Sequence, residues 1–270
     1  HLQRGDVSIG CEISVSTGAE HETQNLAKCL SAGFGYTLPM STEARTAAPV
    51  DLAGLDLEEL TRFVQALGEP AFRARQLYAW IHRRGETAFA AMTDLGRALR
   101  ARLATRATIG ARPVARETRS VDGTCRFRLR LADDRGIESV LIPEAGRVTA
   151  CLSTQAGCVL RCRFCLTAQV PNARNLTAGE IVGQVLALRR ALEPEARLTH
   201  LVLMGMGEPL ANFPQTAKAL GMLTAPEGLA FSPRRITLST AGLVPGIRRL
   251  AESGLGVNLA VSLNATTDAL

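Results

Sequence analysis

The chain has 270 residues, 46% of them hydrophobic, which is enough for a sizeable buried core in one or two domains. It contains no apolar run long enough to span a bilayer and no basic stretch followed by an apolar one at its start, so a cytoplasmic protein with no membrane partner is expected. The net charge is +6, and Lys28 and Lys218 are the only lysines. Arginine pairs with phosphate and stacks on bases, which favours a nucleic-acid partner. A GC-rich genome that encodes Arg in place of Lys explains the same bias.

Residues 1–46 begin with His1, carry Cys11 and Cys29 outside any motif, and show no sustained periodicity. A disordered or non-native extension is expected there, with Met40 as a natural start. A helical accessory domain is expected over 47–106. Asp56 followed by Glu59 is an N-cap signal, and Leu57, Leu60, Val64 and Leu67 repeat at helical spacing. Gly68 and Pro70 end that helix. Phe72, Leu77, Trp80 and Ile81 line the next, with Arg73, Arg75, Arg83 and Arg84 on its polar sides, and a third helix is expected over about 92–103. A solvated arginine face explains these basic positions as well as an RNA contact does.

Residues 107–147 read as a β-strand connection. Phe127, Leu129 and Leu131 alternate with Arg126, Arg128 and Arg130, the pattern of a half-buried strand, and Cys125 is expected to be structural. From 148 onward strands alternate with helices, which is the pattern of a parallel α/β series. Thr177 and Glu180 form a capping-box pattern ahead of a helix carrying Ile181, Val185 and Leu188. Strands follow near 201–204, 235–239 and 257–263. Such units curl into complete or partial barrels with their chemistry at the C-terminal strand ends. The cysteine loop, Gly205-Met206-Gly207-Glu208-Pro209, Ser239-Thr240-Ala241-Gly242 and Ser262-Leu263-Asn264 all fall at such ends. Turns need Gly, Ser and Asn in any case, but four on one rim argue for a shared site.

Cys158, Cys162 and Cys165 form a C-x3-C-x2-C loop with no fourth cysteine nearby. Iron–sulfur clusters are usually held by four thiolates. Three thiolates suggest a four-iron cluster with one iron left for a small molecule that presents an amino and a carboxylate group, as S-adenosylmethionine (SAM) does. Glu208 is a candidate acceptor for the ligand's ammonium, Gly207 for close backbone approach, and Ser239 and Asn264 for its carboxylate or ribose. Zinc held by the three thiolates plus His200 or a water is the main competitor. His200, however, is expected at the start of a strand, on the opposite rim. Cys151 ends the strand that leads into the loop and reads as either a core cysteine or a thiol of the site. Glu138 reads as an ion-pair partner or a base.

Residues 151–165, Cys-Leu-Ser-Thr-Gln-Ala-Gly-Cys-Val-Leu-Arg-Cys-Arg-Phe-Cys, resemble the core of the radical SAM rRNA methyltransferases of the RlmN/Cfr family. So do Ala173-Arg174-Asn175-Leu176, the run 204–210 and the run 234–245, and the run Phe72-Arg73-Ala74-Arg75-Gln76 with Trp80-Ile81 looks like the family's N-terminal helical module. The resemblance covers about 50–270. It implies a partial TIM-type (β/α) barrel of the radical SAM kind, truncated after about four strands, with a small N-terminal helical domain and a short β extension; the radical SAM core would occupy 148–270.

The same resemblance implies methylation of adenine, at carbon 2 for RlmN and carbon 8 for Cfr, in 23S rRNA and tRNA. Cys158, Cys162 and Cys165 would hold a [4Fe-4S] cluster. Gly207, Glu208, Ser239, Ser262, Leu263 and Asn264 would bind SAM. Cys151 would remove the ring proton, and Glu138 matches a family glutamate assigned as a proton acceptor. A flavodoxin or ferredoxin would supply electrons, and the protein would be a monomer. Asn264 departs from the histidine often found there, which leaves a hydrogen bond but no acid–base role. The family's methyl-carrying cysteine lies near the C-terminus, and no cysteine follows Cys165. The expectation is therefore a fragment that does not complete the family reaction alone.

Overall fold

The computed structural model describes residues 49–110, 113–193 and 195–263. The expectations for residues 1–46 and for Asn264 fall outside them. The first described element, β1 (Val50–Asp51), pairs in parallel with β2 (Ala107–Thr108), so the two ends of the N-terminal module are tied together. Between them lie α1 (Leu57–Ala66), α2 (Phe72–Tyr78) and α3 (Arg97–Arg106). The expected capping box is present: Glu59 N donates to Asp56 Oδ1 at 2.8 Å, and Asp56 N donates to Glu59 Oε2 at 3.0 Å.

Two expectations for this module are corrected. The third helix begins at Arg97 rather than near residue 92. Met92 and Leu95 are buried, but they sit in turns ahead of the cap Gly96, so their apolar spacing reflects burial without helix. Phe72 does not line the core. It opens α2 at 53% exposure, with the Arg73 guanidinium 4.8 Å from its ring. After α2 the chain continues as a π-turn over Ala79–Arg83, which buries Ile81 and His82 side by side.

Next come β3 (Val114–Arg119), β4 (Cys125–Arg130), β5 (Gly136–Glu144) and β6 (Arg147–Cys151). After the short pair β7 (Gln155–Ala156) and β8 (Arg174–Asn175) the series runs α4 (Ala178–Ala191), β9 (His200–Leu203), α5 (Phe213–Thr224), β10 (Ile236–Thr240), α6 (Val244–Glu252) and β11 (Asn258–Val261). The main sheet has the order β11-β10-β9-β6-β5-β4-β3. Its first four strands are parallel and the rest form an antiparallel meander. The β-strand connection is thus a direct extension of the barrel sheet.

Strand alternation gives this sheet two faces. Leu129, Phe127, Ile137, Leu141, Leu201, Leu203, Ile236 and Leu238 join the buried side chains of α4 and α5 in one core. The register puts Arg128, Arg126, Glu138, Val140, Cys151, Val202, Thr237 and Ser239 on the other face, which is half-exposed to exposed.

The helical module docks on this core through backbone. A Cβ on Gly179, in the first turn of α4, would stand 2.7 Å from Gly54 Cα. Lys218 and Glu59 add an ion pair at 2.5 Å, and Arg189 Nη1 donates to His82 O at 2.8 Å. Gly179→Ala should cost about 1–3 kcal/mol by forcing the two segments apart, measured as a lower denaturant midpoint at unchanged slope.

His82 is fully buried against Tyr78, with ring centroids 4.2 Å apart, and neither ring nitrogen has a hydrogen-bond partner among the described residues. Burial first, and the Arg189 cation second, push its pKa from 6.5 down to about 4. The unfolded chain then binds more protons than the native one across that window. Stability is full above pH 6.5 and falls as the pH drops towards 4, by on the order of 3 kcal/mol. In His82→Phe that loss should shrink, seen as a smaller gap between denaturation midpoints at about pH 7 and about pH 4.5.

Candidate functional site

The cysteine loop leaves the barrel at Gly157, whose φ is +84° and whose absent Cβ would meet Ala173 Cβ at 3.0 Å. Arg161 is left-handed at φ +50°, and Cys165 N donates to Cys162 O at 3.1 Å, so the loop turns twice within nine residues. The three thiols are half-buried. Burial raises the Cys158 pKa, and the nearby Cys162, Cys165 and Glu208 raise it further against a bond from the Leu160 backbone. The thiols and Glu208 therefore share one electrostatic neighbourhood.

His200 opens β9 at the other end of the parallel strands, and Thr199 Oγ1 lies 3.0 Å from its Nδ1. That rules it out as a fourth ligand beside a loop that follows the strands' C-terminal ends. The donor set of the loop is three soft thiolates. Such a set fits a cluster with an open iron better than a closed zinc shell.

Gln155 organises the rim, and nothing in the sequence singled it out. Its buried Nε2 donates to Asn175 Oδ1 at 2.7 Å, while its Oε1 accepts from Glu208 N at 3.0 Å and from Val159 N at 3.4 Å. It thereby joins the cysteine loop to the glycine-rich loop after β9. Gly207 has φ +99°, and a Cβ there would lie 2.5 Å from Gln155 Cβ. Its close approach, expected towards a ligand, is made to Gln155. Thr154 N and Gln155 N both donate to Met206 O, at 2.8 and 3.1 Å.

Glu208 is only 3% exposed. Its Oε1 accepts from Leu210 N at 3.0 Å and its Oε2 from Ala241 N at 2.9 Å, so it ties the β9 loop to the loop after β10. A carboxylate has about four lone-pair sites, so two acceptor positions remain. Ser239 and Ser262 meet across β10 and β11, with their hydroxyls 3.2 Å apart. Leu263 follows at 74% exposure.

Cys151 ends β6 on the half-exposed face. Burial pushes its thiol above the ordinary value, and a backbone hydrogen bond from Met204 partly offsets this. Glu138 lies on the same face two residues from Val140, the partner of Cys151 in β5. Such diagonal neighbours are about 7–8 Å apart. Glu138 is also an ion-pair partner, with Arg126 Nη1 at 3.6 Å from its Oε1. Cys125 is buried and its Sγ meets Gly123 O at 3.3 Å, the structural place expected for it.

A buried amide holds these strands in place. Gln184 Oε1 accepts from Ser139 Oγ and Ser153 N, both at 2.8 Å, and its Nε2 donates to Ser153 O at 2.8 Å. Ser153 Oγ donates to Glu138 O at 2.6 Å and accepts from Met206 N at 2.9 Å. The signal for this network was visible as a lone glutamine in the apolar run of α4.

Beside the rim, a cleft of about 580 Å³ opens between the β4–β5 hairpin and residues 166–172. Arg174 ties the β4–β5 turn to α4, donating to Asp133 Oδ2 at 2.7 Å and to both oxygens of Glu180 at 2.8 and 2.9 Å. The bond from Arg174 holds the Asp133 carboxyl down at about 2.

A three-thiol loop at the C-terminal rim of a partial (β/α) barrel defines a radical SAM type of site, and residues 152–270 match the family model described as the radical SAM superfamily. Residues 50–109 match the ribosomal RNA large subunit methyltransferase N-terminal domain. The dual-specificity RNA methyltransferase RlmN of Rhodospirillum rubrum is 51% identical, with 82% of this chain and 53% of that protein covered. The RlmN of Geobacter sulfurreducens is 50% identical, with 82% and 60% covered. The crystal structure of a radical SAM methyltransferase from Sphaerobacter thermophilus superposes with a TM-score of 0.78 at 45% identity, over 82% of this chain and 65% of that one. The chain belongs to the RlmN-type family of radical SAM methyltransferases. It spans 53% to 60% of the length of these two curated relatives. The family implies a [4Fe-4S] cluster and SAM as cofactors.

Gln155→Ala leaves the Glu208 and Val159 amides without their acceptor. A loss of about 1–3 kcal/mol is expected, together with lower iron retention after anaerobic reconstitution, measured by denaturation and by metal analysis. Iodoacetamide labelling of Cys151, followed by peptide mass spectrometry, should show a midpoint above that of an unhindered thiol, because burial disfavours the thiolate.

Proposed function

We propose that this chain carries the cofactor-binding and base-presenting residues of an RNA methyltransferase that acts on carbon 2 of adenine in 23S rRNA and tRNA. The observation that carries this reading is the shared rim: the thiol loop, the Gly207–Glu208 loop, Ser239 and Ser262 at successive strand ends, with Cys151 and Glu138 on the face beside them. Cys158, Cys162 and Cys165 hold the cluster. Gly207, Glu208, Ser239, Ser262 and Leu263, with the neighbouring Asn264, hold SAM. When bound, the cluster and SAM would supply radical chemistry able to take hydrogen from unactivated C–H bonds.

That chemistry suits the target, because an aromatic adenine carbon is not nucleophilic and resists polar methyl transfer. RNA bases in loops can be splayed out to reach a buried site. Cys151 takes the ring proton. Burial disfavours the Cys151 thiolate, so the thiol's own proton must leave first; Glu138, the diagonal carboxylate on the same face, receives it through a bridging water or substrate group. The carbon-2 outcome rests on the RlmN names of the relatives. A flavodoxin or ferredoxin as electron donor, a cytoplasmic location and a monomeric state belong to the same proposal. No helix among the described residues is long and apolar enough to cross a membrane.

Anaerobic reconstitution should give a brown protein with about four irons and four sulfides per chain. With a reductant and SAM it should release 5′-deoxyadenosine, and Cys158→Ala should abolish both. A colourless zinc protein, or release that survives in Cys158→Ala, would sink the assignment. In any RNA product the methyl should lie on carbon 2, and 8-methyladenosine by mass spectrometry would refute that part.

A further inference from the structure

The half-exposed face that carries Cys151 does not end at the barrel. The register continues it across β5 and β4 into β3, where Val140, Arg126 and Thr118 form one row and Glu138, Arg128 and Arg116 the next. Arg130 lies on the same face of β4, since strand alternation repeats every second residue. At about 4.8 Å per strand, the first of these guanidinium-bearing positions begins about 10 Å from Cys151.

Three features separate this row from an ordinary solvated face. First, Arg116 and Arg128 are directly opposite each other. Like charges so placed destabilise a sheet, and a bound anion removes that cost. Second, Gly136 makes room for Arg128: a Cβ there would lie 2.6 Å from Arg128 Nε, so the guanidinium stem lies across a bare backbone. Third, Arg126, Arg128 and Arg135 line the 580 Å³ cleft together with Glu138 and Met206 of the rim. A space of that size suits a nucleotide.

The acidic groups on hand are accounted for. Glu138 faces Arg126 at 3.6 Å, Asp134 faces Arg130 at 3.9 Å, and Asp133 is shared by Arg135 and Arg174 at 3.3 and 2.7 Å. Among the described residues neither Arg116 nor Arg128 has an ion-pair partner.

We propose that Arg116 and Arg128 bind phosphates of the RNA strand that flank the target nucleotide, and that the cleft beside them takes a neighbouring nucleotide, so that the strand is laid across the meander with the target base directed at Cys151. The proposal rests on the RNA reading above and specifies which surface performs it. Both are positioning residues, acting through the strand they hold.

The test is equilibrium binding of a fluorescein-labelled RNA stem-loop with an unpaired adenosine, followed across a salt series. Single-stranded contacts contribute about 0.7 to the slope of log affinity against log salt per phosphate. The double variant Arg116→Gln/Arg128→Gln should bind more weakly, with a slope smaller by about 1.4. It should also melt no lower than wild type, since a like-charge pair is gone. Arg128→Lys should keep the wild-type slope. The control Arg234→Gln/Arg235→Gln, with the same charge loss at the opposite strand ends, should change the slope little. If wild type binds RNA and the meander variant keeps its slope and affinity, the proposal is overturned while the RNA reading stands. An equal loss in the control also overturns it, since binding would then follow net charge. If wild type shows no salt-dependent RNA binding, the RNA reading itself fails.

Discussion

The rim depends on one buried side chain. Gln155 spends its carbonyl on the amides of Glu208 and Val159 and its amino group on Asn175. Loops leaving a sheet carry backbone groups that need partners, and a buried amide without one is costly. A single glutamine meets this need for two loops at once, and the absence of a side chain at Gly207 lets it sit close enough to do so. Glu208 then extends the tie to Ala241, so the cysteine loop, the β9 loop and the β10 loop are connected through side chains rather than merely adjacent.

The second organising fact is that the β meander belongs to the barrel sheet. Cys151 is positioned from both sides, by Val140 of β5 and by Val202 of β9. The Gln184–Ser153–Ser139 network fixes the height of those strands relative to α4. A face built this way holds the Cys151 thiol on regular structure, and only the rim loops are left to irregular backbone. The helical module packs on α4 through the Gly54–Gly179 approach, at the back of the same core.

Much of this was legible in residue order. The capping boxes at Asp56 and Thr177, the alternation of arginine with apolar residues in β4, and the strand–helix rhythm after 148 each depend on neighbours within a few residues. What was not legible is set by distant pairing. Met92 and Leu95 have helical spacing but are buried from turns, because the core reaches them before α3 begins. Phe72 is apolar yet solvent-facing at a helix start. Gln155 owes its role, and Glu208 its tie to Ala241, to loops that come together only in the fold. The Arg116–Arg128 juxtaposition depends on a strand register shifted by a bulge between Val114 and Arg116.

If these separate loops form one site on one rim, they respond to SAM together. Hydrogen–deuterium exchange of the reconstituted chain, with and without SAM, tests this most directly. Joint protection is expected for peptides covering 157–166, 204–212 and 239–243, with peptides at 198–200 and 232–235 unchanged. Protection confined to one of those loops, or appearing at the opposite strand ends, would contradict it.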